Sequence, residues 1–277
     1  MPRPLVMGVV NVTPDSFSDG GRYVEPQAAV AHGLALLDRG ADLLDVGGES
    51  TRPGATRPLV AEELARVVPV ITELAAAGAT VSVDTMRAEV AAAALEAGAS
   101  IVNDVSGGLA DPEMLPLVGA SGATYVAMHW RAHADRMSDH TDYSAHGGVV
   151  AGVRAELAQR VDAALDAGIA AERLVLDPGL GFAKTAEQSW ELLRGLGELD
   201  SLGHRLLVGA SRKSFLGRLL ADAAGDPRPV EDREAAHLAV VLHCARADVW
   251  GVRVHDVGSS CDALSAWEAL EEGGPRG

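Results

Sequence analysis

The sequence predicts an α/β protein, a single-domain (β/α)8 TIM barrel spanning residues 1–277. Two patterns predict it. Short runs rich in Val, Leu and Ile recur eight times, and alanine-rich amphipathic stretches lie between them. A doubly wound open sheet is the alternative. Eight regular units over about 250 residues, with no linker, low-complexity tract or composition break, favour closure.

The strand runs are 5–10, 42–46, 80–83, 100–102, 123–128, 173–176, 205–208 and 249–252. They are apolar almost without alternation, as strands covered on both faces are. The helical stretches are roughly 26–39, 61–77, 87–97, 111–119, 149–168, 187–198, 232–247 and 259–271. Gly40, Gly78, Gly98 and Gly168 stand where helices stop. Asp111-Pro112 and Ser259-Ser260 read as helix starts.

Composition narrows the function. Hydrophobic residues make up 48% and charged residues 22%, which is globular rather than disordered. The 23 basic residues against 39 acidic ones leave a net charge of −16, which argues against nucleic acid or an anionic membrane as partner. A local basic cluster can still hold an anion. No apolar run approaches the roughly 20 residues of a bilayer span. The apolar run after Met1-Pro2-Arg3-Pro4 meets Asn11 and Pro14 too soon for a secretory signal, and two cysteines are too few for a disulfide framework or a zinc site. A cytoplasmic protein is expected.

Rare residues stand out against this arginine- and alanine-rich background. Only Lys184 and Lys213 are lysine, only Asn11 and Asn103 are asparagine, and Phe17, Phe182 and Phe215 are the phenylalanines. Barrel chemistry sits at the carboxyl ends of the strands. The eight runs lead into Asn11, Asp45, Asp84, Asn103-Asp104, Met128-His129, Asp177, the 209–213 segment and Arg253-Val254-His255. Both asparagines and one of the two lysines fall there.

Asp84, Asn103 and Asp177 come from three strands that a barrel brings together. Two carboxylates and an amide can accept from the N–H groups of a flat heterocycle, cap the helices that follow, or hold magnesium. Lys213, Arg253 and His255 place positive charge at the last two strands, where barrels often bind phosphate; Lys213 is equally a candidate Schiff-base nucleophile. The picture is of acids at one end of the mouth and cations at the other. Two long punctuated loops, 11–21 and 47–54, read as lids or as solvated turns, with Ser50, Thr51 and Arg52 able to meet an anion.

The stretch Met7-Gly8-Val9-Val10-Asn11-Val12-Thr13-Pro14-Asp15-Ser16-Phe17-Ser18-Asp19-Gly20-Gly21 resembles a signature of dihydropteroate synthases. So do Asp45-Val46-Gly47-Gly48-Glu49-Ser50-Thr51-Arg52-Pro53-Gly54, Ser82-Val83-Asp84-Thr85 and the 102–108, 176–182, 209–213 and 252–257 segments. The likeness runs in order along nearly the whole chain, with an actinobacterial cast. It implies a transferase of folate biosynthesis that joins dihydropterin-methyl diphosphate to 4-aminobenzoate and releases diphosphate. Asp84, Asn103, Asp177 and Lys213 match the family's pterin-binding positions. Asn11 matches its Mg2+ ligand, and Arg253 and His255 its diphosphate contacts. Thr51, Arg52, Ser211, Phe17 and Phe182 match the aminobenzoate pocket that sulfonamides exploit. The resemblance also implies a homodimer through the last helices.

Rivals are a weak paralogue that binds pterin without turnover, a pterin-dependent methyltransferase of the same superfamily, and an aldolase using Lys213. The intact Asn11, both lid loops and the Ser211-Arg212-Lys213 motif count against the first two, and borohydride trapping with a carbonyl substrate would expose the third. The fifth loop, residues 129–149, is not accounted for. Its His129, His133, His140 and His146 fit no standard metal spacing and read as solvated.

Overall fold

The computed structural model describes residues 2–12, 24–49, 58–133 and 137–272. Its centre is a closed barrel of parallel strands in sequential order: β1 (Leu5–Asn11), β2 (Leu43–Gly47), β3 (Val81–Asp84), β4 (Ile101–Asp104), β5 (Thr124–Met128), β6 (Leu174–Asp177), β7 (Arg205–Gly209) and β8 (Gly251–Val254). β8 pairs with β1 from Leu5 opposite Gly251 to Gly8 opposite Val254, which closes the ring. Around it lie α1 (Val24–Asp38), α2 (Val60–Ala76), α3 (Ala88–Glu96), α4 (Met114–Ser121), α5 (Val149–Asp166), α6 (Ala186–Arg194), α7 (Leu196–Leu199), α8 (Ser214–Leu219), α9 (Glu234–Arg246) and α10 (Val257–Glu272). Among the described residues, no helix is long and apolar enough to cross a membrane.

The expected strands all form, and Gly40, Gly78, Gly98 and Gly168 follow the ends of α1, α2, α3 and α5 at positive φ. Three expectations need correcting. Asp111 does not start α4, whose N-cap is Glu113; its carboxylate accepts from the Ala88 and Glu113 amides and ties α3 to the loop. Ser259-Ser260 lies inside α10, and Asp256, just before the helix, accepts from the Ser259 amide instead. The 187–198 stretch breaks at Gly195 into α6 and α7, and α8 follows Lys213 where no helix was expected.

Apolar packing among the described residues has three separate parts, the smallest being Met86, Val105 and Met128 with Phe182 packed against them. The outer layer between strands and helices buries residues such as Leu44, Val46, Val83, Leu157, Leu176 and Val254. Inside the barrel Met7, Leu43, Ile101, Val126, Val175 and Leu207 form a compact plug. The barrel interior is therefore filled, and a ligand can enter only above the plug.

Candidate active site

Above the plug the inner face turns polar. Side chains alternate across a strand, so the inward position two residues after Leu43, Ile101 and Val175 belongs to Asp45, Asn103 and Asp177. Registration sets the neighbours side by side. Asp84 pairs with Asn103 across β3–β4 and with Gly47 across β2–β3, and Gly209 pairs with Arg253 across β7–β8.

Arg253 ties these groups together. Its Nε donates to Asp45 Oδ2 at 2.6 Å and its Nη2 to Asp84 Oδ2 at 2.9 Å. Asn103 Nδ2 donates to the same Asp45 oxygen at 2.9 Å. Asp45 is fully buried, and its Oδ1 accepts no hydrogen bond among the described residues. A buried acceptor left so costs about 1–3 kcal/mol, and such exceptions gather at functional sites.

Asp177 lies on the same rim. A Cβ placed on Gly209 would sit 3.7 Å from Arg253 Cβ and 4.0 Å from Asp177 Oδ2. Asp177 Oδ1 accepts from the Gly179 amide at 2.7 Å. Lys213 donates to the Leu180 carbonyl, and its Nζ stands 4.8 Å from the centre of the Phe182 ring. His255 rests on Ser211, whose Oγ is 3.0 Å from the imidazole Nδ1 and accepts from the His255 amide at 3.2 Å.

The electrostatics follow from burial. Burial lifts the Asp84 carboxyl to about 7; Arg253 resists, and neighbouring Asp45 adds to the rise. Asp177 is raised by burial too, against the pull of Lys213 and the Gly179 amide. Burial pushes the Lys213 ammonium down to about 8, with Asp177 holding it up. The mouth therefore contains one acid, Asp84, and one base, Lys213, whose charge changes near neutral pH.

The structure brings Asp84, Asn103, Asp177, Lys213 and Arg253 to one mouth, with Ser211 and His255 beside it and Phe182 over Lys213. Asn11 ends β1 opposite Gly47, half-buried. Phe17, Thr51 and Arg52 lie outside the described residues. The picture of acids at one end and cations at the other is corrected: Arg253 is bonded among the acids. Two of its donors are committed to Asp45 and Asp84, because carboxylates this buried require a counter-charge.

His129 is also corrected. It is 1% exposed, not solvated, and lies between Lys184 and Glu156. Among the described residues no group of three or more His, Cys, Asp or Glu is arranged to hold a metal. Asp104, the neighbour of Asn103 at its strand end, is structural. Its carboxylate accepts from the Ser106 and Gly108 amides and from the Tyr125 hydroxyl.

Sequence reasoning left Asp45 without a role and missed Glu63. Fully buried on α2, Glu63 accepts from Thr85 Oγ1 at 2.6 Å and Arg87 Nη1 at 2.6 Å. Arg87 also donates to the Pro58 carbonyl at 2.7 Å, and Arg66 to the Gly48 carbonyl at 2.8 Å. Both flanks of the second loop are thus gripped from the helices beneath.

Comparison with known proteins decides what this constellation belongs to. Residues 7–255 match the model of a family described as pterin binding enzyme. A dihydropteroate synthase of Mycobacterium leprae is 55% identical over 98% of this chain and 95% of its own length. The chain belongs to the dihydropteroate synthase family. Solved members of the family share its shape. A Xanthomonas albilineans dihydropteroate synthase with 4-aminobenzoic acid superposes with a TM-score of 0.88 at 46% identity, covering 97% of this chain and 93% of that one. A structure of the enzyme from the same organism, in complex with 7,8-dihydropteroate, gives 0.85 at 42% identity, covering 97% and 94%.

Proposed function

We propose that the protein joins the methylene carbon of dihydropterin-methyl diphosphate to the amine nitrogen of 4-aminobenzoate, giving dihydropteroate and diphosphate. The C–O bond to diphosphate breaks with its electron pair, a C–N bond forms, and the amine loses a proton. One observation carries the reading: Asp84, Asn103, Asp177, Lys213 and Arg253 converge above the plug of a barrel whose relatives are dihydropteroate synthases.

In this reading Asp177 and Asn103 meet the polar edge of the pterin. Arg253 keeps Asp84 and Asp45 oriented, and with its side chain 22% exposed it brings a flat cation to the mouth. Asp84 and Asp177 stabilise positive charge developing on the pterin methylene as diphosphate departs. Lys213 and His255 offset the negative charge of the leaving group and the pterin oxygen. The weakly basic aryl amine needs positioning more than a strong base, and Phe182, Ser211 and the second loop with Thr51 and Arg52 would supply it.

Mg2+ belongs to this proposal through Asn11. The residue ends β1 at the mouth and offers a neutral amide oxygen, a hard donor. Magnesium commonly takes one or two protein oxygens and fills its remaining positions with phosphate oxygens and waters, so one amide fits. When bound, the ion would neutralise charge on diphosphate and improve it as a leaving group. The homodimer stays part of the reading; α10 carries Leu270, 77% exposed, as a candidate contact.

The decisive measurement is diphosphate release with and without 4-aminobenzoate. Release that depends on the added amine is expected. Release that ignores it, or a Schiff base trapped on Lys213 by borohydride with a carbonyl substrate, would overturn the reading.

A further inference from the structure

Lys213 is absorbed by the site. The chain's other lysine is not. Lys184 lies in the loop between β6 and α6, 8% exposed, and its Nζ has three partners. They are His129 Nδ1 at 2.9 Å, the Gly179 carbonyl at 3.0 Å and the Phe182 carbonyl at 2.9 Å. Three acceptors around one nitrogen call for three protons, so the contacts select the ammonium, against burial and the Lys213 charge, which push its pKa well below the usual lysine value.

The next link fixes the imidazole. With Nδ1 accepting from Lys184, Nε2 carries the hydrogen and donates to Glu156 Oε2 at 3.0 Å. Burial first, then the Lys184 charge, holds His129 down to about 4, so it stays neutral. Glu156, on α5, is gripped through both carboxylate oxygens by Arg131. Arg131 also donates to the carbonyls of His140 at 3.0 Å and Asp142 at 2.7 Å, and it lies 3.7 Å from the centre of the Tyr143 ring. Tyr143 donates to the Ala183 carbonyl at 3.0 Å.

The chain of contacts ends on one short loop. Gly179, Phe182 and Ala183 are all held by their carbonyls, and Ala183 adopts a φ of 47°, which a non-glycine residue keeps only when its surroundings impose it. Gly179, at φ 66°, allows the loop to pass so close to the fifth loop that a Cβ there would lie 2.5 Å from the His129 carbonyl. From its other side the same loop gives Lys213 the Leu180 carbonyl and the Phe182 ring.

We propose that Lys184 is a positioning residue, locking the Gly179 and Phe182 carbonyls from beneath so that Phe182 is presented to the second substrate over Lys213. The His129–Glu156–Arg131 chain holds Lys184 in that state, which gives the fifth loop its role. This inference rests on the reading of Phe182 as part of the aminobenzoate pocket.

The test is a double-mutant cycle in steady-state diphosphate release with Lys184→Met, Phe182→Ala and the pair. Lys184→Met is expected to raise KM for 4-aminobenzoate by about tenfold while KM for the pterin diphosphate stays within about twofold. In the Phe182→Ala background it should add less than about twofold, because the ring it acts through is gone. An equal rise in both KM values, a fall in kcat alone, or a full additive effect on top of Phe182→Ala would overturn the proposal. Lys184→Gln, which keeps donors for the carbonyls, takes the place of the methionine variant if that one does not fold, and the same split and non-additivity decide. Wild-type release independent of 4-aminobenzoate would sink the reading of the site and this proposal with it; dependent release with unsplit KM values would sink Lys184 alone.

Discussion

Lys213 stands between a buried acid and an aromatic ring, and its position sets two expectations. Lys213→Ala removes a charge-assisted contact worth about 1.5–3 kcal/mol, so calorimetry should show pterin binding weakened by about tenfold to about 100-fold. Unchanged affinity would remove Lys213 from the site. The second concerns pH. Burial depresses the ammonium to about 8, so its charge is present below that value and lost as pH rises through it. The kcat/KM for the pterin diphosphate should therefore fall on an alkaline limb near pH 8. In Lys213→Arg, which stays charged, whatever activity survives should lose that limb. A limb kept in the arginine variant would assign it to another group. At this scale the sequence was a fair guide. Asp84, Asn103, Asp177, Lys213 and Arg253 could be placed at strand ends from their position alone. The Arg253–Asp45 and Arg253–Asp84 pairs could not, because which partner a cation finds depends on register and burial rather than on order along the chain.

Strands and helices were legible for a different reason: each carries its pattern locally. Apolar runs gave the strands, and glycines gave several helix stops. Helix starts at Asp111 and Ser259 were misread because short polar side chains serve neighbouring segments as readily as their own, as Asp111 does for Ala88. Alternation inside β2, β4 and β6 was hidden too. The outward residues are as apolar as the plug, so a single inward aspartate looks like an end, not a face. Beneath the second loop the α2–α3 junction makes a testable case. Glu63 is buried without exposure and relies on Arg87 for its counter-charge. Arg87→Met should destabilise by about 3 kcal/mol, because it leaves a buried carboxylate unpaired. Urea unfolding should show a lower midpoint with an unchanged slope. A midpoint within error of wild type would mean that Thr85 alone satisfies Glu63.

On the scale of the whole molecule, the eightfold alternation and the absence of any break were enough for the barrel, since few architectures bury eight two-faced strands. What the sequence could not deliver was the loop network around Lys184, built from the β5–α5 and β6–α6 connections and α5, whose sequences have no shared period. The scarcity of lysine was the only trace it left. Closure itself makes a prediction. A chain ending after Ala247 keeps seven strands but loses β8 and leaves β1 and β7 with open edges. It should unfold without a cooperative transition and bind no pterin by calorimetry; a cooperative fragment that binds would show that the eighth strand is dispensable.

Arg253 lies 208 residues from Asp45 and 169 from Asp84 along the chain. During synthesis the two acids emerge well before their counter-ion. An unfinished chain would therefore carry mutually repelling carboxylates in an open trough, poorly suited to trapping substrate. The Arg253 pairing exists only once β8 has docked between β7 and β1.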